Sequence, residues 1–473
     1  MRRPISTICL FLFICAGLSG CYLNRNGTGV GTGGGNTAPF SLILTDAPPL
    51  GGDVLSFQIQ ITGAVLQPGN VSLLNTPLTV ELTQLQAENG FISSFNTPIG
   101  TYTSLTVTFA NPSMTILNET GGTIGANCLN ASICTLTPAL VPSTVTITGT
   151  PLLTLIGNTP AAATLDVSLR NLVQNDFSLN LTATNAVTLT PLPSVALTAP
   201  IAELDEVVGK VTSINTNQNQ FNLTTTAGQV FSIAVDNNTT FSYPIGVCPS
   251  NTFTCVTTVQ IVEVDLSVLG NGTFLANSVS FEDDGSVPLV EGTLVALLGN
   301  PPTLSIVVEN EVPTVTNIAV GDVVNVTLQN PTTFQVDADG LTIPGGLSFA
   351  SASDLLVGQE IQVRVSGGVN AGTFPTNRVS LRMAQITAPV ASTDQPNLSF
   401  ITNSLPSRFP VGSSILVQTS AQTEFDPQPN TTFAQLAPGT IVSVKGPLFN
   451  TPAQLQIGEQ VAKRVLVRTL NGP

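Results

Sequence analysis

Carboxylates are the reactive groups this chain has in quantity. It carries 28 Asp and Glu against 13 Lys and Arg, a formal charge of −15, and no His or Trp. Without His there is no imidazole general base, no Ser-His-Asp or Cys-His nucleophile pair and no imidazole metal ligand. Glu282-Asp283-Asp284-Gly285 and Asp337-Ala338-Asp339-Gly340 could contribute oxygen ligands to Ca2+. Neither completes a D-x-D-x-D-G loop with its distal Glu, and Asp-Gly is a common turn, so a turn is the favoured reading. Asp46 and Asp166 could face a ligand, although Asp46, ahead of Ala47-Pro48-Pro49, is better placed to cap a turn. Paired carboxylates for glycoside hydrolysis stay open, but no Trp and three Tyr leave little surface for stacking a sugar. There is no P-loop, no G-x-S-x-G, and no S-x-x-K around Lys210, Lys445 or Lys463. Gly29-Val30-Gly31-Thr32-Gly33-Gly34 matches G-x-G-x-x-G only in letters, with no strand before it and no helix after it. No catalytic residue and no metal ligand is assigned, and the chain reads as a non-enzyme. Its scarcity of cations argues against nucleic-acid binding.

The seven cysteines divide by position. Cys9 and Cys15 lie in an apolar run over residues 5–18 that follows Met1-Arg2-Arg3, the cationic start and hydrophobic stretch of a signal peptide. The run is too short for a membrane span of ~20 residues. It ends in Leu18-Ser19-Gly20-Cys21, which resembles the lipobox of bacterial lipoproteins. The resemblance implies cleavage after residue 20, a diacylglycerol on the Cys21 thiol and a fatty acyl group on the new amino terminus. Two chains are physically required, since one gives only marginal membrane binding. An ordinary secretory signal with a chance Cys is the rival reading. Tyr22, where Asp would suggest inner-membrane retention, favours the outer membrane or cell surface. Residues 21–38 form a tether with six glycines among residues 22–38 and a reach of about 20–25 Å.

The other cysteines form two local pairs, Cys128 with Cys134 and Cys248 with Cys255. In an exported chain these read as disulfides closing short loops, contributing about 2–2.5 kcal/mol each in the chain-entropy model. A four-Cys zinc site would need pairs from different domains and lacks C-x-x-C spacing.

The elements that must position these groups are strands. Leu55-Phe57-Ile59-Ile61, Leu105-Val107-Phe109 and Leu165-Val167-Leu169 alternate with polar residues, and Gly, Pro and Asn clusters separate such stretches. Period-2 patterning with one apolar face predicts an all-β chain. The expected organisation is a signal (1–20), the tether (21–38), an antiparallel β-sandwich (39–199), and three small β-barrel-like repeats at 203–285, 288–384 and 385–470.

The first domain opens Leu44-Thr45-Asp46-Ala47-Pro48, has Gly100-Thr101-Tyr102 leading into a strand, and ends near Leu165-Asp166-Val167. This order, over about 160 residues, resembles uncharacterised L-T-D-A-P domains of bacterial and archaeal surface lipoproteins. That resemblance implies a fold and a location.

The repeats rest on spacing. Gly228, Gly321 and Gly412 each stand thirteen residues before Phe241, Phe334 and Phe425, which close Thr239–Phe241, Thr332–Phe334 and Thr423–Phe425. Positions three and five after each glycine are apolar, and each copy ends in a similar strand at Val279, Val379 or Val465. Two copies open alike, around Gly209 and Gly292; the third opens near 385 without that glycine. This resembles tandem V-x-G-x-V / T-x-F β-barrel repeats of secreted bacterial proteins. Constant spacing predicts that each Phe is buried as a plug of its own barrel, with an exposed aromatic ladder as the rival. Two function classes follow. One is a lipid-anchored, non-catalytic binding, adhesion or envelope-assembly module with an unidentified protein or polysaccharide ligand. The other is a carboxylate-dependent hydrolase of an extracellular polymer, which a cluster of acids in one cleft would favour.

Overall fold

A computed structural model describes residues 36–47, 54–125, 127–410, 412–426, 431–451 and 456–468. The signal, most of the tether and Cys21 lie outside the described residues. The chain is all-β, a sandwich followed by three five-stranded barrels.

In the sandwich, one sheet runs Val187–Leu192, Ala161–Val167, Thr37–Thr45, Gly90–Pro98. The facing sheet is built on Val54–Gln67 and Gly100–Leu117, whose alternate residues Phe57, Ile59, Ile61, Leu105, Val107 and Phe109 fill the space between the sheets. Among the sandwich's described strands, one pair is parallel. Thr37–Thr45 runs parallel to Ala161–Val167, with Leu44 opposite Leu165 and Thr45 opposite Asp166. A parallel pair needs a long crossover, and here the whole second sheet supplies it. The strand Thr37–Thr45 is apolar without alternation because both its faces are covered: Leu42 and Leu44 face the sandwich core, and Ile43 enters the core of the first barrel.

The barrels share one topology. In the first, Pro200–Asn215 pairs with Gln220–Thr224, which pairs with Val230–Ala234; Phe274–Asp283 and Ile261–Leu269 complete the ring back to Pro200–Asn215. The second ring is Leu289–Leu298, Thr303–Val312, Val323–Val336, Thr373–Leu381, Glu360–Arg364. The third is Met383–Asp394, Ser399–Thr402, Ser414–Gln418, Gln456–Val461, Ile441–Phe449. In each, the middle strand closes on a late strand in parallel. The spacing glycines Gly228, Gly321 and Gly412 have φ of +79°, +90° and +78°, a left-handed turn that a side chain would strain. The apolar positions after them, Phe231 and Ile233, Val324 and Val326, Ile415 and Val417, are all buried. Where the first two barrels have Gly209 and Gly292, the third has Ala388 in the equivalent register, opposite Val442.

The phenylalanines hold the same strand position in all three barrels: Phe241 pairs with Val279, Phe334 with Val379 and Phe425 with Val465. They are not buried plugs. Each is half-buried and packs on its barrel's core from the edge. Phe334 meets Phe349 edge-on at 5.7 Å, and Phe425 meets Phe433 at 6.4 Å. The interiors are filled instead by Phe221 and Phe274, by Phe374, and by Phe400. Constant spacing therefore preserved register, as expected, but register alone does not decide depth. A further repeated element escaped the sequence pattern: a 3-10 turn, at Phe253–Cys255, Ala352–Asp354 and Phe433–Gln435, precedes the fourth strand of each barrel. Its capping boxes, Ser351 with Asp354 and Thr432 with Gln435, were the available signal.

Both disulfides form, Cys128–Cys134 and Cys248–Cys255, each with Cα atoms 5.6 Å apart.

Candidate functional site

The four units meet in a junction built from charge. Its centre begins at Glu81, whose carboxylate accepts the Phe57 and Thr83 amides and the Ser56 and Thr83 hydroxyls. This folds the chain into the 3-10 turn Thr83–Leu85 and sends residues 84–89 of the sandwich into the barrels. The third barrel receives them: Gln385 accepts the Ala87 amide at 2.8 Å and donates to Gln84 O at 2.7 Å, and Arg464 donates to Ala87 O at 3.2 Å. Glu88 then reaches Lys445, which also lies 3.2 Å from Glu206 of the first barrel.

Arg382, 2% exposed, joins the first and second barrels by ion pairs to Glu263 and Asp337, to Glu291 at 2.9 Å and to Glu282 at 3.5 Å. Lys463 pairs with Asp339 and, at 3.5 Å, with Asp265. Arg464 pairs with Asp205, with Glu424 at 2.7 Å and with Asp426 at 3.2 Å. Arg468 donates to Asp46 O at 2.9 Å.

Burial sets the protonation here. It pushes Glu282 up to about 8 and Glu88 up to about 7, against the pull of Arg382 and Lys445 respectively. Glu263 and Glu291 are also raised by burial, with Arg382 opposing. For Arg382 itself, burial disfavours the charge, but the four carboxylates around it more than compensate and hold it firmly protonated. Buried charges of this kind are stable only together; removing one partner leaves the others unpaired in a medium of low polarity.

The acidic motifs singled out in the sequence divide between these contacts. Glu282 and Asp337 converge on Arg382, and Asp339 on Lys463. Asp283 lies 3.1 Å from both Arg364 and Arg378. Asp284 accepts the Ser286 amide at 2.9 Å across Gly285, whose φ is +74°, a turn as the Asp-Gly pair predicts. Two acid triads do bring oxygen atoms within 4.8 Å of one another, Glu263–Glu282–Asp337 and Glu206–Glu263–Asp339. In both, arginine or lysine supplies the positive charge that Ca2+ would have brought. Asp46 caps a turn, though a distant one: its Oδ1 accepts the Leu169 amide at 2.9 Å, at the start of the short helix Leu169–Leu172. Burial raises Asp46 well above the usual carboxyl range and Asp166 to about 6, with Arg468 opposing in each case.

Sequence reading did not find Arg382, Arg408, Arg464, Arg468 or the Gln84–Asn89 segment as a set. A signal existed. In Ile261-Val262-Glu263-Val264-Asp265, Val262 and Val264 fill the barrel, so Glu263 points outward, yet it is 2% exposed. Val442-Ser443-Val444-Lys445 and Val290-Glu291-Gly292-Thr293 repeat the pattern. Charges are rare in this chain, 9% of residues, so one on the outward face of an otherwise apolar strand marks a covered face.

Next to the junction lies a cavity of about 70 Å³ lined from all four units, including Glu88, Glu206, Glu291, Glu309, Glu360 and Arg408. An open cleft of about 540 Å³ adjoins it between the sandwich and the first two barrels. On the third barrel, a separate groove of about 660 Å³ is lined by Ser392, Thr393, Asp394, Asn397, Gln418 and Gln456. Compared with known proteins, the chain matches no family model and no curated protein.

Proposed function

We propose that the protein is a non-catalytic, lipid-anchored module of the bacterial cell envelope, held at the outer membrane or cell surface through Cys21 and used for binding, adhesion or envelope assembly. The lipobox and the L-T-D-A-P resemblance support the location, and the disulfides suit an oxidising compartment. The observation that carries the functional reading is where the charge goes. Arg382, Lys445, Lys463, Arg464 and Arg468 spend their charge tying the four units together. The outward groove of the third barrel offers hydroxyl and amide groups instead. Such a block, with an outer groove in which Asp394 is the one charged residue of the described lining among hydroxyl and amide groups, suits recognition of a polysaccharide or protein surface.

Two experiments test this. Wild-type protein should partition with membranes and carry acyl chains by mass spectrometry, whereas Cys21→Ser should accumulate unprocessed or be released; lipid-free wild type would refute the anchor. Immobilised chain should retain envelope polysaccharide or protein without consuming it. The hydrolase reading has one observation in its favour, the acids Glu81, Glu88, Glu206, Glu309 and Glu311 along the open cleft. Against it, Glu81 is fully engaged by backbone and hydroxyl donors, and Glu88 and Glu206 by Lys445. Release of reducing ends from envelope polysaccharide, abolished in Glu309→Gln, would establish the hydrolase and overturn the module.

A further inference from the structure

We propose that the central cavity is a binding site for a hard divalent cation, held by the carboxylates of Glu309 and Glu360 beside the Thr293 hydroxyl. The proposal is independent of the envelope role above.

The second barrel builds this site by a local irregularity. Thr293 and Glu360 are direct cross-strand partners. On the neighbouring strand, Glu291 pairs with Asn310 and Gly292 with Val308, so Glu309 is the extra residue of a β-bulge. The bulge turns its side chain toward the same hydroxyl, a device by which strands re-aim functional groups. The close approach needs Gly292, because a Cβ there would lie 1.9 Å from Val307 O. Thr293 Oγ1 is 2.6 Å from Glu309 Oε1 and 3.2 Å from Glu360 Oε2. A hydroxyl has one proton, so it can satisfy only one of the two carboxylates.

The count of charges among the described residues leaves these two carboxylates a single counter-charge between them, Arg408. Among the cavity-lining acids, Glu88 and Glu206 have Lys445, and Glu291 has Arg382. Arg408, the cation lining the cavity, donates through Nη2 to Gln385 O at 3.2 Å. Glu360, which lines the cavity, is 9% exposed, and its Oε1 is buried without a hydrogen-bond partner. A buried carboxylate oxygen without a donor is costly. Burial raises Glu309 to about 7 and Glu360 well above the usual range; Glu309 and Glu291 push Glu360 further up, and the Thr293 hydroxyl and Arg408 oppose in both cases. A cation removes that repulsion and partners the orphaned oxygen. Oxygen-only donors suit Ca2+ or Mg2+ rather than a softer metal, and about 70 Å³ holds an ion with some of its waters.

The test uses the whole purified chain, stripped with EDTA and returned to Ca2+ or to Mg2+. Metal analysis before stripping should find one divalent ion per chain. Adding back the cognate ion should raise Tm by on the order of 2–5 °C, with the stronger of the two arms naming the ion. Glu360→Gln and Glu309→Gln keep the shape and an acceptor, and both should lose the shift, while Asp394→Asn in the outer groove keeps it. Three results would overturn the proposal: a chain without stoichiometric ion and without a shift, a shift retained in both Gln variants, or a Tm indifferent to metal that responds to pH alone, in which case the two carboxyls share a proton.

Discussion

The inside and the outside of each barrel strand follow opposite physics. Along Ile261–Leu269, Val262, Val264, Leu266 and Val268 form a dry interior, while Glu263 and Asp265 on the other face enter an ionic junction. The interior is non-directional: apolar groups gain by leaving water wherever they pack. The junction is conditional. A carboxylate there is tolerable only while its partner is present, and for Glu263, Glu88 and Asp205 that partner belongs to another unit. Hydrophobic contacts make each barrel and also cross between units, as where Ile43 and Phe91 join the first barrel's core and Phe449 and Val461 the second's; the charges add directional contacts between the barrels and the sandwich.

The sharpest way to break this contrast is to attack both faces of the second barrel at comparable cost. Arg382→Ala leaves Glu263, Glu282, Glu291 and Asp337 without their counter-charge and should cost about 3–5 kcal/mol. Phe374→Ala, in the interior, should cost a similar 3–5 kcal/mol. The form of unfolding separates them: calorimetry should show Arg382→Ala splitting one transition into several as the units uncouple, and Phe374→Ala losing the second barrel first. A single unsplit transition in Arg382→Ala would mean that the junction does not couple the units.

Acidity acts on the buried carboxyls of the junction and its cavity, not on the apolar barrel interiors. Glu88 and Glu309 at about 7 and Glu282 at about 8 keep protons in the folded chain that the unfolded chain releases near its ordinary value of 4.5. Their contribution is complete below about pH 4.5 and is lost as pH rises through 7–8. In EDTA, Tm should therefore be higher at pH 5.5 than at pH 8.5, the reverse of acid unfolding through salt-bridged carboxylates, and Glu282→Gln should flatten the slope. Unchanged Tm across that range would show these acids ionised throughout.

The smallest effect sharpens the account of the repeated phenylalanines. A buried plug would lose about 3–5 kcal/mol on truncation. Phe334 is half-buried against Phe349, so Phe334→Ala should cost about 1–2 kcal/mol by chemical denaturation.

What could be read from the sequence alone was local. Alternating apolar residues announced the strands, and the positive-φ requirement at Gly228, Gly321 and Gly412 fixed the start of each repeated arm. Cysteines six and seven residues apart could meet without help from the rest of the fold. Each of these depends on neighbours a few positions away, so the linear pattern contains the cause. The junction does not work that way. Arg382 lies 119 residues from Glu263, and Arg464 lies 377 from the Ala87 carbonyl it binds. An outward Glu on a β-strand is written identically whether water or another domain covers it. Only the packing of four units removes the water, and removing the water is what turns ordinary surface charges into ion pairs that depend on one another across units.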